Sequence, residues 1–208
     1  MTFVIAIDGP AASGKGTLAR RLSEKYGFHH LDTGLLYRAT ASELLAQCAP
    51  LDDEKRAADI ASNLDLTKLD RTVLSAHTVG NAASKVAAMP MVRAALFKLQ
   101  QSFAKKEPGA VLDGRDITSV VCPNADVKLF ITASAEVRAE RRFLESTSKG
   151  DKTSYDTILA DIIKRDERDQ NRQDSPLTIT QDAHLIDTTK MDIEAAFLTA
   201  CDYVERSR

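Results

Sequence analysis

The sequence predicts a doubly wound α/β fold, in which one parallel sheet of five strands carries helices on both faces. Two observations support this prediction. Five short apolar runs alternate along the chain with stretches whose apolar residues recur at helical spacing. The runs are continuous rather than alternating in hydrophobicity, which is typical of strands covered on both faces. Strands that alternate with helices in this way favour a parallel, doubly wound sheet.

The elements follow one another in a regular order. The predicted strands cover residues 3–7, 29–31, 110–112, 127–131 and 184–186. Helices are predicted over residues 17–26, 134–144, 155–168 and 193–204. Leu18 and Leu22 lie one turn apart in the first helix, and Ser134 is a candidate N-cap for the second.

Two segments interrupt this alternation. Residues 51–103 have a largely helical pattern and no predicted strand, so we interpret them as an insert between the second and third strands. Residues 146–153 are rich in Ser, Lys, Gly and Asp, which predicts a short mobile loop that acts as a lid. Both segments are expected to belong to a single domain that spans residues 1–208.

Composition limits the classes of function. The 208 residues carry a net charge of −2, which predicts no general attraction to nucleic acid or to an anionic membrane. The apolar run at residues 3–7 is too short to span a membrane. Cys48, Cys122 and Cys201 form no metal-binding or disulfide spacing, so we expect a reducing cytoplasm. No heptad or long apolar stretch predicts a second subunit, so we expect a monomer.

The most specific motif follows the first strand and opens the first helix. It consists of Gly9, Pro10, Ala11, Ala12, Ser13, Gly14, Lys15, Gly16 and Thr17. This is the sequence context of a P-loop, in which glycines let backbone N–H groups surround phosphates and the lysine reaches the β- and γ-phosphates. The alternative is an ordinary glycine-rich turn between a strand and a helix.

The variant Gly14-Lys15-Gly16-Thr17 resembles the P-loop of nucleoside-monophosphate kinases. The resemblance implies ATP as phosphoryl donor together with Mg²⁺. It also implies that Thr17 and Asp113 hold the metal, partly through water. Asp113 lies at the end of the third predicted strand, which is where these kinases place a carboxylate near the hydrated magnesium ion. Taken alone, an acid at a strand end is also typical of a helix cap or a turn.

Four further segments resemble bacterial cytidylate kinases, and the match extends over residues 4–188. The segments are residues 32–38, 81–93, 113–116 and 165–172. The resemblance implies transfer of the γ-phosphoryl group of ATP to CMP or dCMP, which gives CDP or dCDP and ADP. It also implies that the helical insert at residues 51–103 binds the acceptor monophosphate.

The resemblance assigns a role to each matching residue. Thr33, Arg38, Arg115 and Arg172 match positions that hold the acceptor phosphate. Ser84, Arg93 and Asp116 match positions that contact cytosine, and Arg165 and Asp169 match positions that meet the sugar. We assign catalytic roles to Lys15, Arg115 and Arg172, because guanidinium and ammonium groups compensate the charge of the transferred group. A carboxylate at Asp116 accepts from the cytosine amino group and repels the carbonyl oxygen of uracil.

Several alternatives stay open at this point. Residues 165–172 are also typical of a surface helix with ion pairs such as Arg165 with Asp169. Three arginines before the predicted lid either contact ATP or face solvent: Arg138, Arg141 and Arg142. A P-loop kinase of another small-molecule acceptor and a nucleotide sensor without activity are the competing functions. Residues 66–80 depart from the family, because they are too short for the small β-sheet of its longer members.

Overall fold

The structure, a computed structural model, describes residues 2–148 and 150–208. Its sheet contains β1 (Phe3–Asp8), β2 (His29–Asp32), β3 (Gly109–Gly114), β4 (Val127–Thr132) and β5 (His184–Asp187). The strand order is β2-β3-β1-β4-β5, and every neighbouring pair is parallel. The five predicted strands are therefore confirmed, four of them longer by one residue at the carboxyl end and β3 longer by three residues.

Helices cover both faces of this sheet. They are α1 (Lys15–Tyr26), α2 (Thr33–Ala46), α3 (Glu54–Ser62), α4 (Arg71–Leu74), α5 (His77–Val86), α6 (Pro90–Ala104), α7 (Ala135–Ser148), α8 (Tyr155–Asn171) and α9 (Ile193–Ser207). A 3₁₀ turn at Leu66–Lys68 and a π-helical turn at Ile117–Val121 complete the described elements. Ser134 accepts a hydrogen bond from the backbone N–H of Val137, as expected for the residue that caps α7.

The side chains of residues 3–7 in β1 are apolar on both faces of the sheet, so helices must pack against both faces. Ile5 and Ile7 are fully buried and belong to a core formed with α1 and α9. Ala6 points to the opposite face and belongs to a second core formed with α2, α3, α5 and α6. Because successive residues of a strand face opposite sides, a strand buried on both sides is apolar throughout.

The topology places a crevice beside the carboxyl end of β1. From β1 the chain runs to β2 on one side of the sheet, and from the neighbouring β4 it runs to β5 on the other side. Ligands of open parallel sheets bind where the connections diverge in this way. The loop at residues 9–14 lies at this point, directly after β1.

The two interrupting segments are largely as predicted. Residues 51–103 form α3 to α6 with the 3₁₀ turn and contain no strand in the part that the structure describes. The predicted loop at residues 146–153 begins later than expected, because α7 continues through Ser148 and buries Ser146. Lys149, within that loop, lies outside the described residues. Across the described ranges, the structure shows no helix that is both long and apolar enough to cross a membrane.

Candidate active site

The loop between β1 and α1 is shaped to receive an anion. Gly9 has a φ of 152°, and a Cβ there would lie 2.0 Å from the carbonyl oxygen of Ile131, so this position requires glycine. Gly14 precedes α1 with a φ of 90°. The first N–H groups of a helix carry partial positive charge and favour phosphate. The buried hydroxyl of Ser13 has no hydrogen-bond partner among the described residues, so it is available to bind a polar ligand.

Lys15 is the cation of this loop and is almost fully buried. Its Nζ donates to the carbonyl oxygen of Pro10 at 3.0 Å. Burial, together with the positive charge of Arg115, lowers the pKa of Lys15 to about 7. A phosphate chain would favour the charged form of Lys15, so the residue is suited to a polyanion rather than to a neutral ligand.

A cavity of about 870 Å³ opens from this loop. It is lined by loop residues 12–17, by Arg38 of α2, by Arg141 and Arg142 of α7, and by Thr188 after β5. The cavity therefore joins the anion cradle to arginines of other elements, among them α2 and α7. A volume of this size accommodates a nucleotide-sized ligand.

Two carboxylates lie at the carboxyl ends of neighbouring strands, and one of them, Asp32, lines this cavity. Asp32 of β2 and Asp113 of β3 are register partners in the sheet. Asp113 Oδ1 lies 2.8 Å from His30 Nε2, and a Cβ on Gly16 would lie 3.6 Å from Asp113 Oδ2. Burial, with the nearby charge of Asp113, raises the pKa of Asp32, although Arg71 Nη2 bonds to it at 2.5 Å. Such a concentration of negative charge suits a hard divalent cation.

Three of the predicted acceptor-site arginines, Arg38, Arg115 and Arg165, form a group of like charges near Lys15. Arg38 Nη1 donates to the carbonyl oxygen of Leu74 at 2.7 Å. Burial and the charge of Arg142 lower the pKa of Arg38 to about 10, and burial and the charge of Arg115 lower that of Arg165 to about 9. Guanidinium groups that repel one another in a buried setting are suited to bind an anion.

Asp169 of α8 compensates part of this positive charge. Arg115 Nε donates to Asp169 Oδ2 at 2.8 Å, and Arg165 Nε lies 3.8 Å from the same oxygen. Burial alone would raise the pKa of Asp169, but Arg115, Arg165 and Arg172 lower it. Arg165 Nε is buried without a hydrogen-bond partner in the described structure, so it has donor capacity for a ligand.

A second group of polar residues surrounds Asp116, directly after β3. Arg93 forms a buried ion pair with Asp116 and also donates to the carbonyl oxygen of Ala87 at 3.1 Å. Arg172 Nη2 lies 3.7 Å from Asp116 Oδ1, while its Nε donates to the carbonyl oxygen of Ser175. The structure thus places Arg172 beside Asp116, and it is absent from the described residues that line the Lys15 cavity.

The three arginines of α7 divide between two environments. Arg138 makes two hydrogen bonds to Asp166 of α8 and one to the carbonyl oxygen of Ala11, so it joins α7, α8 and the loop. Arg141 donates twice to Thr188, and Arg142 Nη2 donates to the carbonyl oxygen of Ser75 in the insert. Arg141 and Arg142 face the cavity, and Arg138 holds the elements that surround it.

Comparison with known proteins decides the family. A family model described as cytidylate kinase matches residues 5–206. The chain belongs to the cytidylate kinase family. A cytidylate kinase from Rhizobium meliloti is 61% identical over 205 residues, which cover 99% of this chain and 97% of that protein. One from Agrobacterium fabrum is 62% identical over 200 residues, which cover 96% of this chain and 95% of that protein.

Solved structures agree with this fold at much lower identity. An uncharacterised protein from Eubacterium ventriosum has a TM-score of 0.55 and 17% identity, with 98% of this chain and 99% of that chain covered. A gluconokinase from Sinorhizobium meliloti has a TM-score of 0.51 and 14% identity, with 98% of this chain and 92% of that chain covered. At these identities the likeness shows the α/β fold that this member of the cytidylate kinase family shares, and nothing about its substrate.

Residues that sequence reasoning missed at the site of this cytidylate kinase family member include Asp32, Thr188 and His30. Asp32 and Thr188 line the cavity, and His30 contacts Asp113. Asp32 and Thr188 follow from a general rule, because ligands of parallel sheets bind at the carboxyl ends of the strands and both residues lie there. His30 carried no such signal, since only the pairing of β2 with β3 brings it to Asp113.

Proposed function

We propose that the protein transfers the γ-phosphoryl group of ATP to CMP or dCMP and forms CDP or dCDP and ADP. One observation carries the proposal beyond family membership. A single cavity joins the phosphate loop, with its buried Lys15, to Arg38 of the predicted acceptor site. Two anionic substrates bound in it would meet end to end, one at the loop and one at the arginines.

The chemistry needs charge compensation more than a base. The second pKa of a phosphate monoester is about 6, so the attacking oxygen of the acceptor is largely ionised at neutral pH. Arg115 lies close enough to Lys15 to lower the pKa of the lysine. Both residues are assigned, with Arg172, to compensate the charge of the transferred group. Arg172 now lies at Asp116, so this role requires its side chain to turn toward the phosphate.

The residues present fit a magnesium ion. Asp113 Oδ2 approaches Gly16, next to Thr17, and Asp32 adds a second, partly buried carboxylate on the neighbouring strand. We assign Thr17 and Asp113 to the ion, partly through water, because carboxylate and hydroxyl oxygens are preferred magnesium ligands. When bound, Mg²⁺ neutralises charge on the β- and γ-phosphates.

The remaining assignments concern the acceptor. Arg38, Arg115 and Thr33 are assigned to its phosphate, and Thr33 Oγ1, which donates to the carbonyl oxygen of Asp113 at 2.8 Å, would have to turn. Arg165 and Asp169 are assigned to the sugar. The cytosine is assigned to a set of three: Ser84, Arg93 and Asp116. The insert at residues 51–103 and the lid at residues 146–153 would exclude water from this site.

The cysteines and the net charge support a proposal for the cellular setting of the enzyme. Cys48, Cys122 and Cys201 are free thiols, which supports a reducing cytoplasm. A net charge of −2 supports small-molecule substrates rather than a nucleic-acid partner.

A coupled assay for ADP formation tests the function. CMP and dCMP are expected to be turned over with far higher kcat/KM than UMP, dTMP or a sugar-acid alcohol such as gluconate. Lys15→Met is expected to lower kcat by about a thousandfold, which shows that the activity belongs to this chain. Lys164→Met, which removes an exposed lysine of α8, is the matched control and is expected to retain activity. Turnover of an alcohol with indifference to CMP would refute the proposal.

A further inference from the structure

Arg168 in the last turn of α8 and Arg172, which directly follows this helix, each approach one of the predicted base-contacting residues. Arg168 Nη1 donates to Ser84 Oγ at 2.6 Å. Arg172 Nη2 lies 3.7 Å from Asp116 Oδ1. Ser84 lies in α5 and is buried. Within the described residues, its hydroxyl group accepts this hydrogen bond from Arg168. Arg168 is not one of the predicted substrate contacts, although it is bonded to a residue that is expected to contact cytosine.

The chemistry of this contact restricts what Ser84 can offer to a ligand. A guanidinium group has only donors, whereas a serine hydroxyl has one donor and two acceptor lone pairs. Ser84 must therefore be the acceptor toward Arg168, and one of its lone pairs is occupied. The positive charge of Arg168 also disfavours a ligand donor at Ser84 and favours a ligand acceptor there.

This polarity matches one pyrimidine and not the other. On the edge that pairs with a purine, cytosine carries an acceptor at N3, whereas uracil carries an N–H at the same position. The neighbouring Asp116 offers an acceptor, which suits the amino group of cytosine and opposes the carbonyl oxygen of uracil. A serine that donates and a carboxylate that accepts together complement cytosine.

We infer that Arg168 is a positioning residue for base selectivity, which acts by holding Ser84 as a donor to N3 of the cytosine. The inference rests on the proposed function, because it takes Ser84 as a contact of the base. Arg168 itself is assigned no contact with either substrate. Its effect is expected on the choice between CMP and UMP and not on the use of ATP.

A double-mutant cycle tests this inference. Wild type, Arg168→Met, Ser84→Ala and the double variant are compared by kcat/KM for CMP and for UMP at saturating ATP. Arg168→Met is expected to lower the CMP-to-UMP ratio about tenfold, as for loss of one charge-assisted hydrogen bond. Ser84→Ala should do the same, and the double variant should lose no more than either single variant. Arg168→Lys, which keeps a charged donor, should retain most of the selectivity.

The controls separate positioning from general damage. Lys164→Met removes a positive charge from the exposed surface of the same helix and should leave the ratio unchanged. Thermal melting identifies an unfolded variant, and Arg168→Gln then replaces Arg168→Met with the same expected loss. Equal losses for CMP and UMP, or effects that multiply in the double variant, would overturn the inference alone. Absence of CMP turnover by the wild-type protein would overturn the proposed function and the inference with it.

Discussion

At the scale of single residues, Asp116 carries the proposed preference for cytosine. Its carboxylate is buried and lies between two guanidinium groups, those of Arg93 and Arg172. Asp116→Asn converts one acceptor oxygen into a donor amide, so we expect the CMP-to-UMP ratio of kcat/KM to fall about tenfold. Affinity for ATP should be unchanged, because the phosphate loop is a separate part of the site. Steady-state kinetics and calorimetry measure the two quantities.

The same charge change at an exposed position is the control for this prediction. Asp202→Asn, on the outer surface of α9, should leave both the ratio and the ATP affinity as they are. Asp116→Asn also leaves Arg93 with less compensation, so a lower melting temperature is expected. A ratio equal to that of the wild type in a folded Asp116→Asn variant would remove Asp116 from base recognition.

A second prediction at this scale concerns Asp8, the residue before the phosphate loop. Asp8 is fully buried and accepts hydrogen bonds from the backbone N–H groups of Ile117 and Thr118 and from the Thr118 hydroxyl. Burial raises the pKa of Asp8 to about 6, against the effect of these bonds. Because this pKa exceeds the unfolded value of about 3.9, the folded state holds the proton more tightly. The resulting stability is complete below about pH 4 and is lost as the pH rises through about 6.

Comparison with Asp8→Asn isolates this titration from those of other carboxylates. The free energy of unfolding of the wild type, relative to that variant, is expected to fall by up to about 3 kcal/mol between about pH 4 and pH 7. Urea unfolding at a series of pH values measures it. A difference that stays constant, or that increases with pH, would contradict the assignment.

At the scale of elements, polar contacts beside the cavity join the insert to α2 and to α7. Arg38 donates to the carbonyl oxygen of Leu74, and Arg142 donates to that of Ser75. Elements joined by few apolar contacts open at low free energy. We expect a bisubstrate analogue to slow hydrogen exchange in α4, α5 and the segment 150–154, because closure over both substrates buries them.

The interior of the sheet is the internal control for this measurement. The amides of β3 are already buried and paired on both sides, so their exchange should not change. In the Lys15→Met variant, the same analogue should protect these segments less from hydrogen exchange, because the analogue loses its contact with Lys15. Identical exchange with and without the analogue in the wild type would show that neither segment closes.

At the scale of the whole molecule, the described site is built from a single chain. The phosphate loop follows β1, Arg38 lies in α2, Arg115 and Asp116 follow β3, and Asp169 lies in α8. No second copy is needed to complete this arrangement. We therefore expect light scattering to give the mass of one chain, both free and with the bisubstrate analogue bound. A mass of two chains at micromolar concentration would contradict this.

The phosphate loop and the five strands were predictable because their signals are local. Gly9, Gly14 and Lys15 lie within seven consecutive residues that lead from a strand into a helix. The apolar runs of the strands reflect burial on both faces of the sheet. The end of α7 was less predictable, since Ser146 is buried by tertiary packing in a segment whose composition is typical of a loop. Residue types in 146–148 favour a loop only when nothing packs against them.

Taken alone, the sequence determined the fold class and the phosphate loop, and it predicted many of the arginines and carboxylates of the candidate site, though not Asp32. Tertiary structure decided which of them meet. Arg93 pairs with Asp116, Arg168 with Ser84 and His30 with Asp113, across separations of 23 to 84 residues. Local sequence patterns do not predict such pairs, because the pairs form only when the parallel sheet and the helical insert bring distant segments together.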